Sequence, residues 1–285
     1  MNHVNVVLSG GVWFVGVPIG TARDITLRAL DVLASADVLV AEDTRSLRKL
    51  MDIHGVPLAG RRIEALHAHS KAGVVARLVA RAAAGESVAY ASEAGMPLIA
   101  DPGFELARAA RAAGIPVTCA PGPSAVLTAL VVGGLPTDAF HFAGFLPASR
   151  SGRKAKLAEL EGVQATLAIY ESPKRLGALL YDAVGVLGPD RACVVCRELT
   201  KKFEEKRQGT LGALAEHYAS ANVKGEIVVL IGRAERVDVS KLDIESALKS
   251  ALKDMSVKDA AAFVAETFDV PKRQVYQQAL SMARD

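Results

Sequence analysis

Ser87-Val88-Ala89-Tyr90-Ala91 runs directly into Ser92-Glu93-Ala94-Gly95-Met96-Pro97-Leu98-Ile99-Ala100-Asp101-Pro102-Gly103, which leads into Phe104–Ala113. The first five residues read as a short apolar strand, and the last ten have helical composition. The twelve residues between them hold two glycines and two prolines, so no regular element fits them. Strand, long loop and helix together form one step of an open α/β layer. A loop of this length inside a compact domain usually carries function, and this one offers backbone amides and carbonyls to a small ligand.

The same alternation extends outward. Upstream, Val12–Val17 reads as a strand, Ile25, Ala29, Val32 and Leu33 fall at helical spacing, and Asp37–Ala41 reads as a second strand. Val74, Val75, Leu78, Val79 and Ala82 mark another helix, and Pro116–Ala120 another strand. This pattern predicts a largely parallel sheet. Pro121-Gly122-Pro123 is the strongest break in the chain and is expected to separate two domains. Beyond it, Ser124–Val132 reads as a helix ending at Gly133-Gly134. Strands are expected at Ala139–Ala143, Thr166–Tyr170, Ala192–Cys196 and Glu226–Ile231. Ser172 suits an N-cap with Pro173 at the first helical position, followed by a face of Leu176, Leu179, Leu180, Ala183, Val184 and Leu187.

Residues 233–242 read as a polar linker. The tail then predicts two or three short helices, one capped by Ser256, a turn at Phe268-Asp269-Val270, and a last helix started by Pro271. That is helix-turn-helix spacing, with Lys272 and Arg273 at the front of the second helix. The alternative is a helical tail packed on the body. The expected division is an N-terminal α/β domain over 1–120, a second α/β domain over 121–235, and a helical tail over 236–285.

Of the 285 residues, 51% are hydrophobic and 23% charged, which suits a folded globular protein. The net charge of +3 permits an RNA partner without arguing for one. No apolar run has the length of a membrane helix and no signal-peptide pattern is read at Met1–Leu8, so the expected location is the cytoplasm. Cys119, Cys193 and Cys196 make no disulfide framework. The Cys193-x-x-Cys196 pair lies in an apolar run and lacks the further ligands of a zinc site, so these thiols read as structural. His67 and His69 read as structural or surface residues, with a site role the sharper alternative. No dense His/Asp/Glu cluster suggests a metal.

Several glycine-rich or polar segments follow the expected strands, where ligands gather in open α/β sheets. Gly16-Val17-Pro18-Ile19-Gly20-Thr21 is neither a dinucleotide fingerprint nor a phosphate loop. Glu42-Asp43-Thr44-Arg45 reads either as a local Asp–Arg pair or as an active-site rim. Pro121-Gly122-Pro123-Ser124-Ala125, Tyr170-Glu171-Ser172-Pro173-Lys174-Arg175, Arg197-Glu198-Leu199-Thr200-Lys201 and Lys224-Gly225-Glu226 complete the set.

Taken in order with Asp24-Ile25-Thr26 and Gly144-Phe145-Leu146-Pro147, these segments resemble the ribosomal RNA small-subunit methyltransferase I family, a branch of the tetrapyrrole methylase superfamily. The likeness spans about residues 12–232, and the tail resembles the small helical domain of many members. The chain departs from the family pattern at Val17, Thr21, Glu93, Met96 and Lys174. The resemblance implies a two-domain, tetrapyrrole-methylase-like α/β fold of class III type with a small helical C-terminal domain. It implies S-adenosylmethionine in the cleft, a homodimer, and methylation of a cytidine 2'-hydroxyl in the decoding region of small-subunit ribosomal RNA. On matching positions, Pro18, Glu93, Ala94, Gly95, Pro97, Leu98, Ser124 and Ala125 are expected at the cofactor.

A ribose hydroxyl is a poor nucleophile until its proton is removed, so an acid or base must stand near it. Glu42, Asp43 and Glu171 are the candidates. Arg45, Arg175 and Lys201 are expected to contact phosphate or sugar. Arg150, Arg153, Lys154 and Lys156, in the loop expected after Gly144-Phe145-Leu146-Pro147, are further RNA candidates, with a solvated charge run as the alternative. Two rival readings keep the fold: a tetrapyrrole methyltransferase and a non-catalytic ribosome-assembly factor.

Overall fold

The computed structural model describes residues 3–67, 70, 72–234, 241–268 and 270–282. The chain divides into two compact units, Met1–Ala234 and Glu235–Asp285. The first unit contains two five-stranded sheets.

The strands of the first sheet are β1 (Gly11–Val15), β2 (Val38–Ala41), β3 (Ile63–Ala65), β4 (Ser87–Ala91) and β5 (Val117–Ala120), in the order β3-β2-β4-β1-β5. Every pairing is parallel. Side chains alternate across the sheet, so each strand feeds two cores. Val15, Leu39, Ala89 and Ala91 pack on one face with α1 (Leu27–Ser35) and α2 (Thr44–Ile53). Val12, Phe14, Val38, Val40, Val88 and Tyr90 pack on the other with α3 (Ala72–Ala83) and α4 (Phe104–Ala112). Caps fix the helix starts: Thr26 Oγ1 accepts from Ala29 N, and Asp43 accepts from Arg45 N and Ser46 N.

The second sheet has the order β6-β7-β10-β8-β9, from β6 (Phe140–Phe145), β7 (Thr166–Glu171), β8 (Ala192–Arg197), β9 (Glu205–Thr210) and β10 (Ile227–Ile231). Only the β6–β7 pair is parallel. The helices of this half are α5 (Ala125–Gly133), α6 (Arg150–Leu160), α7 (Leu176–Leu187) and α8 (Leu211–Tyr218). One face packs with α6, α7 and α8 through Leu157, Leu167, Ile169, Leu179, Val195, Leu214 and Val229. The other packs on α5 and on Ile19 of the first half, through Ala168, Val194, Cys196, Val228 and Leu230.

The structure corrects four expectations and adds one strand that the sequence did not announce. The segment after Glu42 is a helix, α2, not a loop rim, because Asp43 caps it and Leu47 and Met51 bury one turn apart. Arg150–Lys156 lies on α6 rather than in a loop. α7 begins at Leu176, not at Pro173: Ser172 O accepts from both Arg175 N and Leu176 N, forming a turn ahead of the helix. β9 is Glu-Lys-Arg-Gln-Gly-Thr, a charged edge strand held by backbone pairing to β8, so no apolar alternation announces it. Cys119 on β5 is exposed rather than packed.

The unit Glu235–Asp285 holds α9 (Lys241–Ala251), α10 (Val257–Thr267) and α11 (Lys272–Met282) around Leu248, Ala260, Ala261, Val264, Val275 and Ala279. Ser256 caps α10 as expected. Of the turn at Phe268-Asp269-Val270, Asp269 lies outside the described residues, as does most of the expected linker. No helix among the described residues is long and apolar enough to cross a membrane.

Candidate active site

A cavity of about 360 Å³ opens where the loops after β1, β4 and β5 meet the ends of β7, β8 and β10. Strand register explains the meeting point. Ile227 at the start of β10 pairs with Glu171 at the end of β7 and with Arg197 at the end of β8, so these ends form one row. From the first sheet, Val17 and Gly95 exchange backbone bonds of 2.9 and 3.1 Å, which ties the loop after β1 to the loop after β4. The Pro121-Gly122-Pro123 break closes on the same place. A Cβ on Gly16 would stand 2.6 Å from Gly122 N, and one on Gly122 would stand 2.8 Å from Gly16 C. Two backbones touch there, and only glycine fits at either position.

The wall is mostly apolar, with Ile19, Met96, Ile99, Phe145, Tyr170, Leu199 and Val228. Phe145 and Tyr170 pack edge to face at 5.6 Å. Three acidic residues belong to the lining, Asp101, Glu171 and Glu226, together with Ser124 and Ser172. Burial, reinforced by the charge of Glu42, raises the Asp101 carboxyl to about 6, although the Ser92 hydroxyl works the other way. The loop that carries Asp101 is held in an unusual backbone path. Leu98 and Ala100 have φ of 73° and 62°, and Tyr90 OH donates to Pro102 O at 3.1 Å. Glu171 is fully buried: Ser172 N donates to its Oε1 at 2.7 Å, and its Oε2 lies 3.1 Å from Arg175 Nη2.

Of the residues expected at a cofactor, Ala94, Gly95, Ser124 and Ala125 line the cavity. The other four do not. Pro97 is buried within the loop and Leu98 packs on the β4–α4 core. Pro18 and Glu93 line a separate hollow of about 230 Å³ with Ser46 and Lys49. Met96, a departure from the family pattern, lines the cavity and accepts a bond from Gly122 N on its sulfur at 3.2 Å.

The acid candidates separate. Glu171 lines the cavity. Glu42 stands behind it, with Glu93 N donating to its Oε2 at 3.4 Å. Asp43 is committed elsewhere: it caps α2 and pairs with Arg45 at 3.2 Å, and those bonds hold its carboxyl below the usual range. It is therefore a poor proton acceptor. Sequence reasoning passed over Asp101, although an acid before Pro-Gly in an apolar loop was a visible signal.

The cation candidates also divide. Arg45 is 91% exposed and Lys154 is exposed on α6. Arg153 is not an outward cation: it is buried, with Nε and Nη2 at 2.9 and 2.7 Å from Asp182 Oδ2. Arg175 donates to Leu146 O and Pro147 O. Lys201 Nζ lies 2.8 Å from Glu198 and 2.9 Å from Glu226. Each of the last two thus supports loops at the cavity edge. His67 N donates to Ser70 Oγ, and His69 lies outside the described residues. Cys193 and Cys196 point to opposite faces of β8, one into each core, so they share no ligand. Burial pushes their thiols up to about 12 and about 11. Among the described residues, no group of three His, Cys, Asp or Glu side chains is placed to hold a metal ion.

Two joined α/β halves with a ligand-sized cavity at their strand ends match the architecture of the tetrapyrrole methylase class, and the sequence comparisons place the chain there. The family model for Tetrapyrrole (Corrin/Porphyrin) Methylases matches residues 11–215, and that for the RsmI C-terminal HTH domain matches residues 238–283. A uroporphyrin-III C-methyltransferase from Thermus thermophilus shares the fold at 24% identity, with 79% of this chain and 95% of that chain covered and a TM-score of 0.56. Another structure of a T. thermophilus uroporphyrin-III C-methyltransferase is a complex with S-adenyl homocysteine, at 22% identity, covering 80% and 100%, with a TM-score of 0.55. Among sequences, the ribosomal RNA small subunit methyltransferase I of Mesorhizobium japonicum is 45% identical, covering 96% of this chain and 93% of its own. The protein of that name in Mycobacterium tuberculosis strain H37Rv is 41% identical, covering 97% of each. The chain belongs to the ribosomal RNA small subunit methyltransferase I family. The family's methyl donor is S-adenosylmethionine.

Proposed function

We propose that this protein transfers a methyl group from S-adenosylmethionine to the 2'-hydroxyl of a cytidine in the decoding region of small-subunit ribosomal RNA. The observation that carries the reading is the cavity itself, an apolar slot at the strand ends with three carboxylates in its wall. The residues fit the donor. The volume lies in the range of small-molecule sites. The acids Asp101, Glu171 and Glu226 would face the donor's positive sulfur, Gly95 adds no side chain to the lining, and the Ile19 and Met96 side chains offer apolar surface. When bound, S-adenosylmethionine supplies a methyl already activated by a positive sulfur.

The protein's own work is then to hold the acceptor oxygen in line and to take its proton. Asp101 is our choice for the proton acceptor, because its raised pKa makes it a stronger base than an ordinary aspartate while it remains ionised at neutral pH. Glu171, fixed by Ser172 N and Arg175, is our choice for the orienting acid. Arg45 and Lys154 are proposed as phosphate contacts. The halves 1–120 and 121–235 are proposed as the two domains that grip the donor, in a cytoplasmic homodimer. The exposed apolar side of α5, with Val131 82% exposed, supports the dimer.

The test is transfer of labelled methyl from S-adenosylmethionine to small ribosomal subunits that lack this methylation, followed by mapping of the product. Label at one 2'-O-methylcytidine is the expected result. Donor binding without transfer to the subunit would redirect the search to tetrapyrroles, and no donor binding would favour an assembly factor.

A further inference from the structure

A second hollow adjoins the cavity. It has a volume of about 660 Å³, and Pro173 lines both. The hollow therefore begins at the cavity's rim, on the side formed by the end of β7 and the start of α7. Three of its lining side chains are cations, Arg150, Arg153 and Lys174, and one, Asp182, is an anion.

The anion is consumed from within. Asp182 is buried, and it accepts from Arg153 on one oxygen and from Arg150 Nε on the other at 3.1 Å. That buried pair sets the floor and fixes Arg150 above it. The Arg150 guanidinium lies over the Tyr181 ring, 5.6 Å from its centroid. Tyr181 is nevertheless 66% exposed. A largely exposed aromatic ring with Arg150 over one face, and a second exposed cation, Lys174, in the same hollow, suit one ligand chemistry. That ligand is an unpaired nucleotide, its base stacked on the ring and its phosphate between the cations.

We propose that this hollow holds the nucleotide next to the one methylated, with its base on Tyr181 and its phosphate between Arg150 and Lys174. The proposal rests on the reading of the protein as an RNA methyltransferase and names how that RNA is held. Pro173 is the residue that lines both, so it is the side on which the neighbour of a nucleotide held in the cavity would lie.

Equilibrium binding of the full-length protein to small ribosomal subunits lacking the methylation, measured over a range of salt, tests the proposal without turnover. Tyr181→Ala is expected to weaken binding about tenfold, and Tyr181→Phe to bind as wild type, because stacking needs the ring and not the hydroxyl. Lys174→Gln is expected to lower the salt slope by about one phosphate contact, which a merely structural residue would not do. Wild-type affinity and slope in both Tyr181→Ala and Lys174→Gln would overturn the proposal, as would failure of the wild type to bind subunits. S-adenosylmethionine binding, measured on each variant, is expected to stay unchanged, since no cavity residue is altered. Methyl transfer by the wild type is scored separately. Its absence sinks the proposed reaction, while the binding data still decide whether RNA occupies the hollow.

Discussion

At the scale of single residues, Asp101 carries the sharpest expectation. Its carboxyl is raised to about 6 by burial and by the charge of Glu42. If it accepts the hydroxyl proton, the methyl-transfer rate should fall as pH drops through about 6, and Asp101→Asn should lower the rate about a hundredfold or more and abolish that limb. Single-turnover rates against pH measure this; an unchanged limb in Asp101→Asn moves the base to Glu171. The stability sign follows from the same shift. The folded state binds the Asp101 proton more tightly than the unfolded chain does, so this residue disfavours folding above about pH 6, and that cost is relieved as pH falls from about 6 toward 4. Asp101→Asn should therefore be more stable than the wild type at pH 7, by urea unfolding. The sequence exposed the loop that carries Asp101 but not its role, because a raised pKa depends on which distant groups fold around the carboxyl. It misdirected attention to Asp43 and Arg153 for the same reason. One is spent on a helix cap and the other on Asp182, and neither partner is visible in composition or spacing.

At the scale of elements, α6 and α7 are joined through the buried Arg153–Asp182 pair. Burial alone would raise Asp182, but the bonds from Arg153 and Arg150 overturn that and hold it below its ordinary value. Asp182→Ala leaves a buried guanidinium without its partner and should cost about 3–5 kcal/mol. The double variant Arg153→Met with Asp182→Leu should recover most of that loss, since matched apolar groups replace the pair. Urea unfolding midpoints decide, and a loss under about 1 kcal/mol for Asp182→Ala would mean that water reaches Arg153. The touching backbones at Gly16 and Gly122 give a second test. Gly122→Ala has no room to relax and should cost about 1–3 kcal/mol and weaken donor binding, because the loops on either side line the cavity. What was legible at this scale was the apolar strand and helix pattern. β1, β2, β4, β5, β7, β8 and β10 were each readable from short apolar runs. β9 was not, since an edge strand needs only backbone partners. α2 and α6 were not, since each buries only two or three side chains among charges.

At the scale of the whole molecule, α5 decides the argument. A helix that is apolar all round belongs in an interior. Val126, Ala129 and Leu130 of α5 bury against the second sheet, while Leu127 and Val131 on its other side stay exposed. A second copy of the chain is the cover implied by the family resemblance, and burying these side chains would stabilise the pair by roughly 1.5–3 kcal/mol for each fully covered residue. Sedimentation equilibrium at micromolar concentration should therefore give twice the chain mass. Val131→Glu, which places a charge on that face with no partner, should shift the protein toward one chain per particle. The substitution lies outside the donor cavity, so donor binding by the monomer would show that each cavity is complete in one chain. Loss of donor binding together with dimerisation would show that pairing organises the cavity. A wild type that sediments as a single chain would remove the homodimer and leave the outer side of α5 to a ribosomal partner.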